Sequence, residues 1–121
     1  MTRIAAVTGA NKGIGFHIAS QLVASKLFTT VILCCRDVDR GEAAVANIGD
    51  CAVFLPLALG DASSMAAFVE AITTKYGKVD VLVNNAAIAF KHADPTPFEQ
   101  QTAPTLAVNF YATLDLSLIH I

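Results

Sequence analysis

The sequence predicts an α/β fold: a doubly wound parallel sheet with helices on both faces. Three observations carry this prediction. Apolar residues make up 55% of the 121 positions and charged residues only 15%. The apolar residues come in short runs, Val31-Ile32-Leu33-Cys34-Cys35 and Val81-Leu82-Val83 among them, and none approaches the ~20 residues that span a bilayer. These runs alternate with longer stretches of helical composition. Short continuous apolar runs are what strands covered on both faces demand. Alternation of strand and helix implies parallel strands joined by right-handed crossovers.

The elements follow in order. Ile4–Thr8 reads as a strand, Gly13–Lys26 as a helix and Thr30–Cys35 as a second strand. Asp37–Ile48 is an Ala-rich helix stopped by Gly49-Asp50, and Ala52–Leu57 a third strand. Ala62–Tyr76 is a helix with Asp61 as its N-cap and Gly77 as its breaker. Val79–Val83 is a fourth strand, Asn84–Pro95 a loop, and a further helix begins near Pro97. No repeat or long linker divides the chain, which reads as one domain interrupted after about four strands.

Composition excludes several function classes. A net charge of −2 offers no basic surface to nucleic acid, and no segment is a candidate membrane span. Met1-Thr2-Arg3 leads straight into a strand without an apolar leader, so a cytoplasmic location is expected. The three cysteines, Cys34, Cys35 and Cys51, lie in apolar runs at no metal-ligand spacing. They are expected to be reduced core thiols, with no bound metal.

Chemistry enters at Thr8-Gly9-Ala10-Asn11-Lys12-Gly13-Ile14-Gly15, between the first strand and the first helix. Gly9 lets the chain turn sharply off the strand. Gly13 removes a side chain where backbone must approach a pyrophosphate, and Gly15 allows close packing of helix on strand. The helix N-terminus offers unpaired N–H groups and a positive dipole end to phosphates. Three glycines in this context predict dinucleotide binding on a Rossmann-type sheet.

The second strand indicates which dinucleotide. An NAD site places a carboxylate at the end of that strand, and an NADP site replaces it with positive charge. Here the strand ends Cys34-Cys35-Arg36, with Cys35 at the acid's position. Arg36 offers a planar fork to a 2′-phosphate, and Lys12 adds a point charge. Arg40 is either a further phosphate ligand or a solvated helix residue near Glu42. Asp37 is expected to cap the second helix, the alternative being an approach to the ribose. NADP(H) is the expected cofactor.

The spacing Gly-x-x-x-Gly-x-Gly after Thr8 resembles that of the short-chain dehydrogenase/reductase family, and Asn84-Asn85-Ala86-Ala87 resembles its Asn-Asn-Ala-Gly segment, with Ala87 in place of the last glycine. Asn11-Lys12, Arg36-Asp37, Ile88-Ala89-Phe90-Lys91 and Ala93-Asp94-Pro95-Thr96-Pro97-Phe98 are similar to the carbonyl reductase branch. The resemblance implies cofactor contacts at Gly9, Asn11, Lys12, Gly13, Ile14 and Gly15. It implies others at Arg36, Arg40, Asn84 and Ala86. The family commonly carries an acid just after the third strand, against the adenine; by register that position is Ala58 here.

The family also implies an Asn-Ser-Tyr-Lys catalytic set, in which a tyrosine of tuned pKa protonates a carbonyl oxygen. Asn109 in Val108-Asn109-Phe110-Tyr111 matches the asparagine. No Tyr-x-x-x-Lys occurs: Asp115 lies four residues after Tyr111, and Asp80 four after Tyr76. Ser63, Ser64 and Ser117 have no catalytic context. His17 and His92 lack a suitably spaced partner. The chain alone is therefore expected to be inactive.

The expected function is part of an NADPH-dependent oxidoreductase that reduces small carbonyl compounds (aldehydes, ketones, quinones) to alcohols by hydride transfer. Its alternatives are a non-catalytic dinucleotide-binding module and an NAD-linked short-chain alcohol dehydrogenase. Residues 1–115 read as the N-terminal part of one nucleotide-binding domain. Residues 116–121, Leu116-Ser117-Leu118-Ile119-His120-Ile121, depart from the family pattern. They are also the translation of CTG TCT CTT ATA CAC ATC, the end of a transposase-based sequencing adapter. The tail is read as non-native, the alternative being a short isoform.

Overall fold

The expected alternation is realised in a computed structural model, which describes residues 2–87 and 94–117. Residues 88–91 of the branch-specific loop, His92, and residues 118–121 of the tail lie outside the described residues. The elements are β1 (Ile4–Thr8), α1 (Gly13–Ser25), β2 (Thr30–Cys35), α2 (Val38–Ile48), β3 (Ala52–Pro56), α3 (Ala62–Lys75) and β4 (Val81–Val83). The strands form one parallel sheet in the order β3-β2-β1-β4.

Strand residues alternate between two cores, as a sheet covered on both faces requires. Ile4, Ala6, Ile32, Cys34 and Leu55 pack with Phe68 and Ile72 of α3. Val7, Val31 and Leu33 pack on the opposite face with Ala19 and Val23 of α1 and Ala44 of α2. Cys34 is thus a core residue, and burial pushes its thiol well above the ordinary range. Cys34, Cys35 and Cys51 are all unbridged.

Both predicted aspartate caps form. The Asp37 carboxylate accepts from Arg40 N at 3.0 Å and the Asp61 carboxylate from Ser64 N at 3.0 Å, each satisfying a first-turn donor. α1 differs: Lys12 stands at its N-cap and supplies no side-chain acceptor.

The fourth strand is shorter than the expected Val79–Val83, and Asp80 is the reason. Its amide donates to Ile4 O at 2.8 Å while its carboxylate accepts from Ile4 N at 2.7 Å, so a side chain replaces part of the ladder. Lys78 Nζ bonds the same carboxylate at 2.9 Å and also Thr2 O. Those bonds hold the Asp80 carboxyl below its usual range, the Ile4 amide contributing most and Lys78 next. A depressed folded pKa gives stability that is complete above the unfolded value and lost as pH falls through the folded one. Asp80→Asn is therefore expected to flatten the acid limb of a stability profile below about pH 4 and leave its shape above that unchanged. Urea midpoints measured across pH check this. A parallel offset at every pH would refute it.

The expected final helix also has internal structure. A 3-10 turn at Phe98–Gln100 precedes α4 (Thr102–Leu106), a π-helical segment (Ala107–Ala112) and α5 (Thr113–Ser117). Within it Thr113 Oγ1 donates to Val108 O at 3.2 Å. Leu116 enters the α3-side core, which fixes this helix against the sheet. No helix among the described residues is long and apolar enough to cross a membrane.

Candidate nucleotide site

A cavity of about 520 Å³ opens at the carboxyl ends of β1 and β2, bounded by the chain following β3 and β4. This is where ligands settle in open parallel sheets. The glycine turn forms one side. Gly13 takes a positive φ of 61°, in the left-handed region that favours glycine. A Cβ built there would meet nothing within 4 Å, so its Cα faces open space. Gly15 is the opposite case: a Cβ there would overlap the Gly9 carbonyl and the Asn85 amide. Its absence lets α1 sit close against the end of β1, as the sequence predicted.

Thr8 ties the two strand ends together. Its side chain is 1% exposed, and Oγ1 accepts from Asn85 N at 3.0 Å and Ala86 N at 2.9 Å. Oγ1 is also within 3.4 Å of Val83 O, to which it donates. Asn85 Nδ2 donates to Gly9 O at 3.2 Å, joining the segment after β4 to the glycine turn.

Charge gathers beyond β2. Lys12, Arg36 and Arg40 line the cavity, with Asp37 the only carboxylate on its wall among the described residues. Asp37 is already engaged: one oxygen caps α2 and the other lies 3.8 Å from Arg40 Nε. Arg36 makes no ion pair among the described residues and is exposed to the cavity. Cys35 lines the wall at the position where an NAD site would carry an acid. Its Sγ donates to Asp37 O at 3.2 Å, and burial raises its pKa, so it adds no negative charge at neutral pH.

The uncapped N-terminus of α1, the open Cα of Gly13 and three cations suit a phosphate-bearing ligand. Of the residues expected to contact a cofactor, Gly9, Asn11, Lys12, Gly13, Arg36, Arg40 and Ala86 line the cavity. Four expected site residues do not. Gly15 is buried beneath the turn, and Ile14 lies 74% exposed on the first turn of α1. Asn84 is turned away, its amide donating to Ser117 Oγ at 2.9 Å, and Asn85 and Ala87 line the cavity in its stead. Asn109 is exposed in the π-helical segment, where its neighbour Val108 reaches the wall.

Leu57, Leu59 and Val108 were not anticipated as wall residues. The strand exit at Pro56 carries a signal for the first two, since chain leaving a parallel strand at its carboxyl end enters the ligand crevice. Among the described residues no group of three or more His, Cys, Asp or Glu is placed to hold a metal.

Comparison with known proteins agrees with this architecture. The short chain dehydrogenase family profile matches residues 3–119. Carbonyl reductase (NADPH) 1 of Macaca fascicularis is 46% identical over 118 residues, covering 94% of this chain and 42% of that protein. The chain therefore spans well under half the length of this curated relative. A Brucella melitensis 3-ketoacyl-(acyl-carrier-protein) reductase complexed with NADH superposes with a TM-score of 0.79 at 30% identity, covering 95% of this chain and 47% of that one. A metagenomic short-chain oxidoreductase in complex with NADP gives a TM-score of 0.76 at 32% identity, covering 91% and 51%. With its glycine turn, parallel sheet and strand-end cavity, the chain belongs to the short-chain dehydrogenase family.

Proposed function

We propose that this chain is the NADP(H)-binding portion of an oxidoreductase that reduces small carbonyl compounds to alcohols. The observation that carries the reading is the wall beyond β2, with Lys12, Arg36 and Arg40 on it and a neutral Cys35 where a carboxylate would favour NAD. When bound, the nicotinamide supplies the hydride. The chain's own residues bind and orient. The uncapped N-terminus of α1 would hold the pyrophosphate, and Gly13, which lines the cavity, leaves room for it. Arg36 would hold the 2′-phosphate through its planar fork, with Lys12 and Arg40 adding positive charge on the same wall. Asn109 has the position that the family resemblance assigns to the support of a proton-relay water.

The test is calorimetric titration of the chain with 2′,5′-ADP and 5′-AMP. The 2′-phosphate is expected to tighten binding by about 10–100-fold, about 1.5–3 kcal/mol as for a charge-assisted hydrogen bond, and Arg36→Asp to remove most of that preference. Equal affinities in the unaltered chain, or an unchanged ratio in Arg36→Asp, would overturn the assignment. Catalysis is tested separately in the gene. An in-frame Ser and Tyr-x-x-x-Lys after Asp115 support a reductase, and their absence supports a non-catalytic binding module.

A further inference from the structure

The cavity has two chemically distinct ends. One is the glycine turn with its cations. The other, at the exit of β3, is apolar: Leu57 and Leu59 line it, with Val108, whose Cγ2 lies 3.7 Å from where a Cβ on Gly60 would stand. A dinucleotide carries its charge on phosphate and its flat aromatic surface on the bases. The apolar end therefore suits a purine once the phosphates occupy the cationic end.

Three backbone polar groups at the exit of β3 are engaged within the protein. Leu57 N donates to Cys35 O at 3.0 Å. Ala58 N donates to Ser64 Oγ at 2.8 Å, and Ala58 O accepts from Asp61 N at 3.2 Å. The Asp61 carboxylate caps α3 and is not on the cavity wall. Across the slot, Asn85 Nδ2 donates to Gly9 O at 3.2 Å. Among the described residues no side-chain carboxylate lines this end to accept from a 6-amino group or to repel a 6-oxo group.

Building on the nucleotide-binding reading above, we infer that this chain holds the purine by apolar contact and does not read its 6-substituent. A 6-oxo (hypoxanthine) dinucleotide then binds about as well as the 6-amino (adenine) one. Stacking and burial depend on the ring face, which both bases share, whereas discrimination needs a polar group whose pairing differs between them.

The experiment titrates the full chain with NADPH and with reduced nicotinamide hypoxanthine dinucleotide phosphate, following nicotinamide fluorescence. The two Kd values are expected to agree within about threefold, whereas a carboxylate bonded to the 6-amino group would separate them by roughly tenfold or more. Leu59→Asp, which puts a carboxylate on the apolar wall, is expected to create such a preference for NADPH. A tenfold preference for NADPH in the unaltered chain overturns the inference and leaves the nucleotide-binding reading standing. Failure of both ligands to bind overturns both. A Leu59→Asp variant that folds and binds without a changed ratio places the base elsewhere and also overturns the inference. If that variant does not fold, the comparison in the unaltered chain decides alone.

Discussion

Gly15→Ala is expected to destabilise the fold by about 3 kcal/mol, the upper part of the usual range for overpacking, and to abolish nucleotide binding. The added methyl would overlap the Gly9 carbonyl and the Asn85 amide together. Neither can retreat freely, because Gly9 O accepts from Asn85 Nδ2 and the Asn85 amide hydrogen is held by Thr8 Oγ1. Relief requires α1 to lift from the end of β1, and the helix N-terminus then leaves the cavity. Gly13→Ala is the control that separates packing from binding. Its Cβ meets no protein atom, so the loss is the strain of a positive φ, about 1–2 kcal/mol. Binding should still fall sharply, because the methyl projects where a phosphate would lie. Urea unfolding and a 2′,5′-ADP titration of both variants check this. Equal stability losses in the two would sink the packing argument.

Thr8→Val is the second large effect. The side chains have nearly the same shape, so the change isolates the hydroxyl. Ala86 N loses its acceptor, while Asn85 N keeps a bond to Val83 O at 3.1 Å. One part-buried donor left without a partner is expected to lower stability by about 1–3 kcal/mol. Thr8→Ser keeps the hydroxyl and should recover most of the loss, apart from the roughly 0.8 kcal/mol of a buried methyl. Protection of the Ala86 amide from hydrogen exchange is the sharper readout. It should fall in Thr8→Val and return in Thr8→Ser, and a failure to fall would show that another group serves that amide.

Features set by neighbours in sequence were legible from the sequence. The caps at Asp37 and Asp61, the glycine turn and the first three strands depend on local chemistry or on apolar runs, and they stand close to where composition put them. Features set by contacts distant in sequence were not. β4 starts at Val81 because Asp80 bonds Ile4, a residue 76 positions earlier. Which of Asn84 and Asn85 faces the cavity follows from Thr8 and Gly9, which draw Asn85 inward and leave Asn84 to Ser117. The π-helical turn around Asn109 has no specific signal in Ala107–Ala112, since helix propensity does not separate a π turn from an α turn. Charge placement was the part of the site read most directly. Lys12 and Arg36 sit on short turns at strand ends, and Arg40 is in the first turn of α2 that follows.

The Thr8 hydroxyl has a consequence for how a ligand is received. By joining the ends of β1 and β4 through a buried group, it sets the floor of the cavity during folding. The conformational entropy of that floor is lost then, and an arriving molecule need not supply it. The opposite wall is different, because Asp37 and Arg40 meet across 3.8 Å with both side chains more than half exposed. A ligand phosphate can therefore compete for the exposed Arg40 side chain at the start of α2 without disturbing the buried floor.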